Sequence, residues 1–341
     1  MKTLIYIGNK SGISKRANIS SIDVLAPLFE KTGYKVYTAS NKKNILLRLL
    51  DMLWVCFKYR NKVDVVLIDT YSTLNFYYAY FVSKLCRVLK LKYIPILHGG
   101  NLPERLNSSL KLSKSIFSNA FVNVAPSLYI KSSFEAFGYN NIINIPNSIE
   151  LKKYPIRKKT YNIIKLLWVR SFSKIYNPLL AINILKALKD ENFEAKLCMI
   201  GPDSDGSLKA SKDHAQKLGL DVRFTGKLSK QEWIKLSEDY NIFINTTNFD
   251  NMPISVIEAM ALGLPVVSTN VGGMPFLIKN NVNGLLVNPN SVNEFVASIK
   301  NLIANPNSTS KIVKEARISA ENLDWQVVEK QWIKVFNNLP L

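Results

Sequence analysis

The sequence contains few of the residues that hold metal ions or disulfide bonds. Its 341 residues include three cysteines and two histidines. The cysteines, Cys56, Cys86 and Cys198, are far apart and form no CxxC pair. A disulfide framework, a cysteine-based zinc site and a histidine-rich metal centre are therefore not expected. Such cysteine usage is typical of proteins in the reducing cytoplasm.

Long apolar runs are absent as well. No segment reaches the roughly 18 uninterrupted apolar residues that a membrane-spanning helix needs. Met52–Phe57, for example, lies between Asp51 and Lys58. Thr3–Ile7 leads directly into a glycine-containing loop, which is not the pattern of a signal peptide. We therefore expect a cytoplasmic protein whose contact with a membrane is at most peripheral, on the inner face of the cell membrane.

Positive charge, in contrast, is in excess. The chain has 45 Lys and Arg against 25 Asp and Glu, a formal net charge of +20, and residues 1–150 alone have 20 against 8. An excess of this kind attracts nucleic acid, anionic lipid or phosphorylated substrates, although solubility alone explains it equally well. The hydrophobic content of 47% suffices for two packed cores and excludes a largely disordered chain.

Short apolar runs alternate along the chain with segments long enough for helices. This alternation predicts parallel β-sheets covered by helices on both faces. We expect two Rossmann-like doubly wound domains, residues 1–155 and 156–323, joined through a basic, proline-containing hinge at Leu151–Thr160. The predicted strands are Thr3–Ile7, Lys35–Thr38, Val63–Ile68, Tyr93–Leu97, Ala120–Val124, Ile142–Ile145, Ile163–Val169, Ala195–Ile200, Val222–Thr225, Ile242–Asn245, Pro265–Ser268 and Gly284–Val287.

The end of the chain predicts one more helix. Asp324 is positioned to cap a helix that runs from Trp325 to about Phe336. Its apolar residues recur at helical spacing, at Trp325, Val328, Trp332 and Val335. We expect residues 324–341 to cross back to the N-terminal domain and to pack between the two lobes.

The loops that follow strands are the candidate sites, because ligands of open parallel sheets bind at the carboxyl ends of the strands. The loop Gly8–Ser14 offers two glycines before a helix, which suits a phosphate but is also expected of any tight strand-to-helix turn. His98, followed by two glycines, comes after the fourth strand and is either functional or structural. Arg170 and Lys174 suit a diphosphate, or are two solvated cations.

The segment from Asn248 to Ser268 carries the most information. Pro253 suits the first turn of a helix and Gly263 suits its end. The free N–H groups after Pro253, together with the helix dipole, favour an anion such as a phosphate. Glu258 lies among apolar residues of this helix, where a carboxylate needs a partner, and two neighbouring ribose hydroxyls would supply one. The alternative is a glutamate on the solvated side of an ordinary helix.

The spacing of Asp250 and Glu258 is that of the acid-x7-acid motif of retaining glycosyltransferases. The residues around it resemble family 4 glycosyltransferases of the GT-B fold. The resemblance covers most of the chain and is strongest from about residue 163 to 306. The segments that carry it are Glu258–Val267, Val271-Gly272-Gly273, Ile200-Gly201-Pro202, Phe224-Thr225-Gly226-Lys227-Leu228, Gly12-Ile13-Ser14, His98-Gly99-Gly100 and Ile145-Pro146-Asn147.

The resemblance implies transfer of a sugar from a nucleoside diphosphate sugar to a hydroxyl acceptor with retention of configuration. It implies a donor in the C-terminal domain and an acceptor in the N-terminal domain, across a cleft. By the same resemblance Glu258 binds the donor ribose and Asp250 contacts the donor sugar. Arg170 and Lys174 then neutralise the diphosphate, and His98 lies beside the donor sugar. The further substrate-binding positions are Gly12, Gly99, Met252, Pro253, Ile254, Gly226, Lys227 and Leu228.

No metal or cofactor is expected, because side-chain cations and a helix dipole would supply the positive field at the leaving diphosphate. A UDP-sugar is expected as donor rather than a GDP-sugar. Two residues depart from the family pattern: Asp250 stands where glutamate is usual, and Lys174 lies four rather than five residues after Arg170. These departures leave a non-catalytic nucleotide-sugar-binding protein of the same fold as the alternative.

Asn44–Tyr59 predicts a helix that is both apolar and basic, flanked by Lys42, Lys43 and Arg60. Such a helix either lies on an anionic membrane or faces the core with a solvated basic rim. A second basic patch comprises Lys111, Lys114 and Lys131. On a membrane, the natural acceptor is a lipid-linked saccharide of surface polysaccharide synthesis, such as capsule, O-antigen or exopolysaccharide.

Three other interpretations are weaker. A nucleic-acid partner is not expected, since charge alone suggests it and no recognised nucleic-acid motif is present. A sugar epimerase of similar fold is disfavoured by the segment from Asp250 to Glu258. Asp203 and Asp205 have the DxD spacing that holds a metal in another glycosyltransferase fold, but a polar loop after the strand ending at Ile200 explains them better.

Overall fold

Two parallel β-sheets account for the strands that the alternation predicts. The computed structural model describes residues 2–10, 20–157 and 159–339, and within these ranges all twelve predicted strands form. The chain divides into two compact units. Unit 1 comprises residues 1–146 and 331–341, and unit 2 comprises residues 147–330. Each is described by itself.

Unit 1 is built on six strands whose order across the sheet is β2-β1-β3-β4-β5-β6, all parallel. The order reverses between β1 and β3, which is where doubly wound sheets form their ligand crevice. The elements are β1 (Thr3–Ile7), α1 (Ser21–Lys31), β2 (Lys35–Ala39), α2 (Ile45–Tyr59), β3 (Val65–Thr70), α3 (Phe76–Val88), β4 (Tyr93–Leu97), α4 (Leu102–Ser108), α5 (Leu110–Phe117), β5 (Asn123–Ala125), α6 (Leu128–Ala136) and β6 (Ile142–Asn144).

Unit 2 repeats this plan with the order β12-β11-β10-β7-β8-β9, again all parallel. Its order reverses between β7 and β10. The elements are β7 (Ile164–Val169), α7 (Pro178–Asp190), β8 (Ala195–Ile200), α8 (Ser207–Lys217), β9 (Val222–Gly226), α9 (Lys230–Leu236), β10 (Ile242–Asn245), α10 (Ile254–Ala261), β11 (Val266–Thr269), α11 (Met274–Leu277), β12 (Leu285–Val287), α12 (Val292–Ala304), α13 (Pro306–Glu321) and α14 (Trp325–Asn337), whose second half belongs to unit 1.

The central strands of both sheets are buried on both faces, which explains their continuous apolar sequences. All six residues of β3 are buried, and β7 is buried apart from Lys165 and Val169, which are partly exposed. Helices cover each sheet from both sides and contribute the other half of each core.

The final helix begins in unit 2 and ends in unit 1. The Trp325 N–H donates to the Ile149 carbonyl at 2.8 Å, and Asp324 accepts from the Leu151 N–H at 3.2 Å, so the start of α14 is held in unit 2. From Gln331 onward the helix belongs to unit 1. There Trp332 and Phe336 pack edge-on against Phe29, with ring centroids 5.4 and 5.5 Å apart.

This packing predicts that the end of α14 stabilises unit 1. Trp332 and Phe29 are both buried, so Trp332→Ala should lower the free energy of unfolding by about 3–5 kcal/mol through the cavity it leaves. Urea titration followed by circular dichroism measures this. Val327→Ala, at an exposed position of the same helix, is the control and should change stability by less than about 0.5 kcal/mol. Equal stability of the two variants would contradict the packing.

Candidate active site

Arg170 lies where β7 ends, at the point where the strand order of unit 2 reverses. Its N–H donates to the Ile200 carbonyl at 3.0 Å. A Cβ atom at Gly201 would lie 1.7 Å from the Arg170 carbonyl oxygen, so a glycine is required beside it. The guanidinium lies 4.1 Å from the Tyr176 ring centroid and forms an ion pair with Asp250. Burial lowers the pKa of Arg170, an effect that Tyr176 opposes.

Asp250 lies in the loop after β10, the strand next to β7 in the sheet. The Gly273 N–H donates to the Asp250 carbonyl at 2.9 Å, and a Cβ atom at Gly273 would lie 1.7 Å from the Asn251 carbonyl oxygen. The backbones of these two loops therefore touch. Because the backbones lie this close, there is no room for a side chain at either residue after Val271, which explains the two glycines.

Threonine hydroxyls hold the loop after β10 against the loop after β7. Thr246 accepts from the Trp168 indole N–H at 2.9 Å, and its hydroxyl contacts the Tyr176 carbonyl at 2.9 Å. The Asn248 N–H donates to the Ile175 carbonyl at 2.7 Å. These bonds fix the backbone that carries the Arg170 and Asp250 side chains.

Lys174 lies in a short 3-10 turn, residues 174–176, and its side chain is exposed. Its backbone N–H donates to Asp205 at 2.9 Å, and the Ser173 hydroxyl donates to the same oxygen at 3.0 Å. Hydrogen bonds, above all from Ser207, lower the pKa of Asp205 to about 2. Asp203 accepts from the N–H groups of residues 206 and 208 at the start of α8. Both aspartates thus hold local backbone, as expected of a polar loop.

Glu258 is the most deeply placed charged group of the site, with a side chain 3% exposed. It follows Val256 and Ile257 in α10, both fully buried, so its carboxylate requires donors from other segments. The Tyr154 hydroxyl donates to Oε1 at 2.6 Å, and the Lys230 ammonium contacts the same oxygen. Burial, reinforced by Glu258, strongly raises the pKa of Tyr154. Tyr154 is therefore a hydrogen-bond donor at any physiological pH.

The start of α10 lies beside these groups. Pro253 occupies the N-cap position, with the helix beginning at Ile254, and Gly263 follows the helix end with φ = +74°. The side-chain amide of Asn147 donates to the Met252 carbonyl at 3.0 Å. Asn147 is the first residue of unit 2, and its side chain helps to fix the loop before α10.

The turn Gly226–Leu228 ends β9, and its residues are partly buried. The Gly201 N–H donates to the Gly226 carbonyl at 2.9 Å, which connects this turn to the loop beside Arg170. Helix α9 follows directly and carries Lys230 to Glu258. The predicted positions in unit 2 therefore form one contiguous group around the carboxyl ends of β7, β9 and β10.

In unit 1 a second polar group lies at the carboxyl ends of β1, β3 and β4. His98 Nε2 is 3.0 Å from Asp69 Oδ1, and the Tyr6 hydroxyl donates to the same oxygen at 2.9 Å. Gly99 allows close approach, since a Cβ atom there would lie 2.6 Å from the Ser72 nitrogen. Gly12 lies outside the described residues.

Three residues that contact the predicted ones were not among the candidates from the sequence. Tyr154 lies in the segment interpreted as a hinge, Lys230 follows a turn predicted for substrate, and Asp69 is the penultimate residue of a buried strand. A signal existed only for Asp69, because a carboxylate that directly follows a buried apolar strand requires a partner if the strand continues through it. Within the described residues, no three or more His, Cys, Asp or Glu side chains are grouped as metal ligands would be.

Solved structures with this architecture identify the class of fold. The chain is similar to sucrose-phosphate synthase from Thermosynechococcus elongatus, with a TM-score of 0.83, 15% identity and 99% coverage of both chains. It is similar to Anabaena HepE in complex with UDP-glucose, with a TM-score of 0.79, 17% identity and coverage of 99% and 100%. The lipopolysaccharide outer core galactosyltransferase WaaB gives a TM-score of 0.72, 17% identity and 99% coverage of both chains. The fold is the GT-B fold of glycosyltransferases.

The sequence comparisons point to the same class of protein. Residues 150–319 match the family model for glycosyl transferases group 1. A sulfoquinovosyl transferase of Arabidopsis thaliana is 30% identical over 151 residues, 43% of this chain and 28% of that protein. An uncharacterized glycosyltransferase of Methanocaldococcus jannaschii is 27% identical over 309 residues, 82% of this chain and 76% of that protein. The poly(ribitol-phosphate) alpha-N-acetylglucosaminyltransferase of Staphylococcus aureus is 24% identical over 204 residues, 59% of this chain and 41% of that protein.

The geometry predicts that Tyr154 stabilises the protein through Glu258. Tyr154→Phe removes one donor from a buried carboxylate and should lower the free energy of unfolding by about 1–3 kcal/mol. Urea titration without nucleotide measures this. Tyr161→Phe, at a partly buried tyrosine of the same unit, is the matched control. Equal stability of the two variants would show that the Tyr154 hydroxyl does not support Glu258.

Proposed function

We propose that this protein is a retaining glycosyltransferase that moves a sugar from a nucleoside diphosphate sugar to a hydroxyl acceptor. The observation that carries the proposal is the buried carboxylate of Glu258 beside the start of α10, with Arg170 and Asp250 at the neighbouring strand ends. In this arrangement a carboxylate for a ribose, a helix N-terminus for a phosphate and a cation for the diphosphate lie in one unit.

Glu258 is assigned to the donor ribose. The contacts of Tyr154 and Lys230 both use Oε1, and we assign Oε2 to the ribose hydroxyls. A carboxylate that is already oriented by two donors binds a diol without reorganising, which favours affinity. The turn Gly226–Leu228, connected to Glu258 through α9, is assigned to the border of the base.

Arg170, Lys174 and the backbone at Met252–Ile254 are assigned to the diphosphate. Departure of the diphosphate develops negative charge, and fixed cations with a helix N-terminus stabilise it without reorganisation. This arrangement is the reason for proposing a metal-independent reaction that needs no cofactor. The donor sugar is assigned to Asp250. His98, Gly99 and Gly12 keep their proposed roles in substrate binding.

In the proposed donor site, Asp250 and the diphosphate compete for the guanidinium of Arg170. Each side chain is the other's partner, and both are largely buried, with exposed fractions of 12% and 14%. We propose that a diphosphate that binds Arg170 displaces Asp250, which then becomes available to the donor sugar. Binding of the nucleotide thus prepares the acid for its role.

The proposed acceptor is a lipid-linked or surface-polysaccharide saccharide, and the proposed donor is a UDP-sugar. The names of relatives support the acceptor, because one acts on poly(ribitol-phosphate) and one on the lipopolysaccharide outer core. The complex of Anabaena HepE with UDP-glucose supports the donor. We assign the reaction to the cytoplasm.

The donor site predicts selective stabilisation by one nucleotide. Thermal melting with UDP, GDP, ADP, dTDP and CMP should show a shift with a diphosphate, UDP above all. At 100 times its dissociation constant, a ligand adds about 2.7 kcal/mol to stability. Glu258→Ala should abolish the shift, whereas Glu315→Ala, an exposed glutamate of α13, should keep it. A shift that survives in Glu258→Ala would overturn the ribose assignment.

The competition predicts opposite effects of Asp250→Asn on binding and on transfer. Without its counterion the buried guanidinium destabilises the free protein and is available to a diphosphate. The melting temperature without ligand should fall, the nucleotide-induced shift should grow, and sugar transfer should drop by about 10²-fold. Asp213→Asn, an exposed residue of α8, is the control. A smaller nucleotide-induced shift in Asp250→Asn would contradict the competition.

Nucleotide binding without transfer in the wild type would favour the non-catalytic alternative.

A further inference from the structure

Helix α2 presents its apolar side chains to solvent. Its buried residues are Met52 and Cys56. Larger apolar side chains are exposed, among them Leu46 (70%), Leu50 (61%) and Trp54 (58%). The outer stripe, as we name this set, comprises Leu46, Leu47, Leu50, Trp54 and Phe57. A helix of a soluble protein normally turns such residues toward the core, so this orientation requires an explanation.

The neighbouring helix extends the exposed apolar surface. Helix α3 packs against α2, and the Tyr78 hydroxyl of α3 contacts the Ile45 carbonyl at 3.4 Å. Tyr77 and Phe81, one turn apart on α3, are exposed. A surface of this size on a protein normally marks a contact with another molecule or with a membrane.

Cations surround the outer stripe. Residues 41–62 contain six Lys and Arg and one acidic residue, Asp51, which accepts from the Ser40 hydroxyl at 2.5 Å. The Arg48 guanidinium donates to the carbonyls of Lys42 and Lys43 at 2.7 and 3.2 Å, which holds these two lysines beside the first turn of α2. At the other end, the Arg60 guanidinium lies 4.2 Å from the Phe57 ring centroid.

This combination of charges and apolar groups selects one occupant. A second copy of the chain would bring an equal set of cations against these, and like charges repel. Nucleic acid would neutralise the cations, but its phosphate backbone offers no apolar phase to five large side chains. An anionic bilayer offers both, with acyl chains for the stripe and headgroup phosphates for the lysines and arginines.

We propose that residues 42–60 form a docking surface for an anionic lipid bilayer. The outer stripe inserts at the boundary between headgroups and acyl chains, with the axis of α2 in the membrane plane. Among the described residues no helix has the length and apolar character to cross a bilayer, so the proposed contact is interfacial. Docking needs no donor nucleotide, so this inference stands or falls independently of the proposed transfer.

Trp54 makes the test direct. The other four tryptophans, Trp168, Trp233, Trp325 and Trp332, are buried, so a change of emission on adding vesicles reports Trp54. Vesicles of phosphatidylcholine with phosphatidylglycerol should shift the emission to shorter wavelengths and sediment the full-length protein. Vesicles of phosphatidylcholine alone should do neither to a comparable extent, and high salt should weaken both effects. Trp54→Phe should abolish the shift and still sediment.

Paired variants separate the apolar from the electrostatic contribution. The double variant Leu46→Ser/Leu50→Ser should lose the vesicle-induced emission shift. Val282→Ser, at an exposed apolar residue of unit 2, should keep it. Each lysine near an anionic surface contributes a factor of about five to partitioning. Lys42→Glu with Lys58→Glu should therefore weaken sedimentation by at least about 25-fold. Lys209→Glu with Lys212→Glu, exposed on α8, gives the same net charge and should have little effect.

Three results would overturn the proposal. One is wild-type protein that neither shifts nor sediments with anionic vesicles at low salt. A second is equal loss of binding in the α2 and α8 charge variants, which would mean that net charge alone acts. The third is a blue shift that grows with protein concentration without lipid, or with an oligonucleotide and not with vesicles, which would assign the surface to a second copy or to nucleic acid. Melting curves of each variant verify that it is folded.

Discussion

A carboxylate buried in an apolar helix is the constraint on which the organisation of unit 2 depends. Glu258 stands among fully buried side chains of α10, where an unpaired charge would be costly. Its partners come from Tyr154, at the beginning of the unit, and from Lys230, in α9. Three distant segments therefore converge on one oxygen atom. Replacement of this carboxylate by an apolar residue would suit packing alone, and the proposed contact with the donor ribose gives the carboxylate a role.

The parallel sheet explains why the other charged groups lie nearby. Strands β7 and β10 are adjacent in the sheet although β8 and β9 lie between them along the chain. Their following loops leave the same edge of the sheet, which brings Arg170 and Asp250 into contact. Backbone approach at Gly201 and Gly273 leaves no room for a side chain. The glycines therefore allow the close backbone approach that accompanies this contact of charged side chains.

The sequence predicted the parts of this structure that depend on local pattern. The strands were found because buried parallel strands are continuous apolar runs, and α10 was delimited because Pro253 and Gly263 have strong local preferences. The partners of Glu258 were missed because Tyr154 lies more than a hundred residues away and no periodicity connects the two. The ion pair of Arg170 with Asp250 was missed because no local pattern connects two residues in loops that follow different strands. For α2 the pattern predicted a helix but left open which face packs on the core. In the structure Leu46 and Trp54 are exposed, so the face that carries them does not pack on the core.

The most direct test of the account is a calorimetric cycle between protein and ligand. The stabilising ribonucleoside diphosphate and its 2′,3′-dideoxy analogue would each be titrated into wild-type protein and Glu258→Gln. If the Glu258 carboxylate binds the ribose hydroxyls, loss of the hydroxyls should weaken binding to the wild type by about 1.5–3 kcal/mol and leave binding to the variant nearly unchanged. Equal losses in the two proteins would show that the carboxylate and the ribose do not interact, and would contradict the proposed donor site.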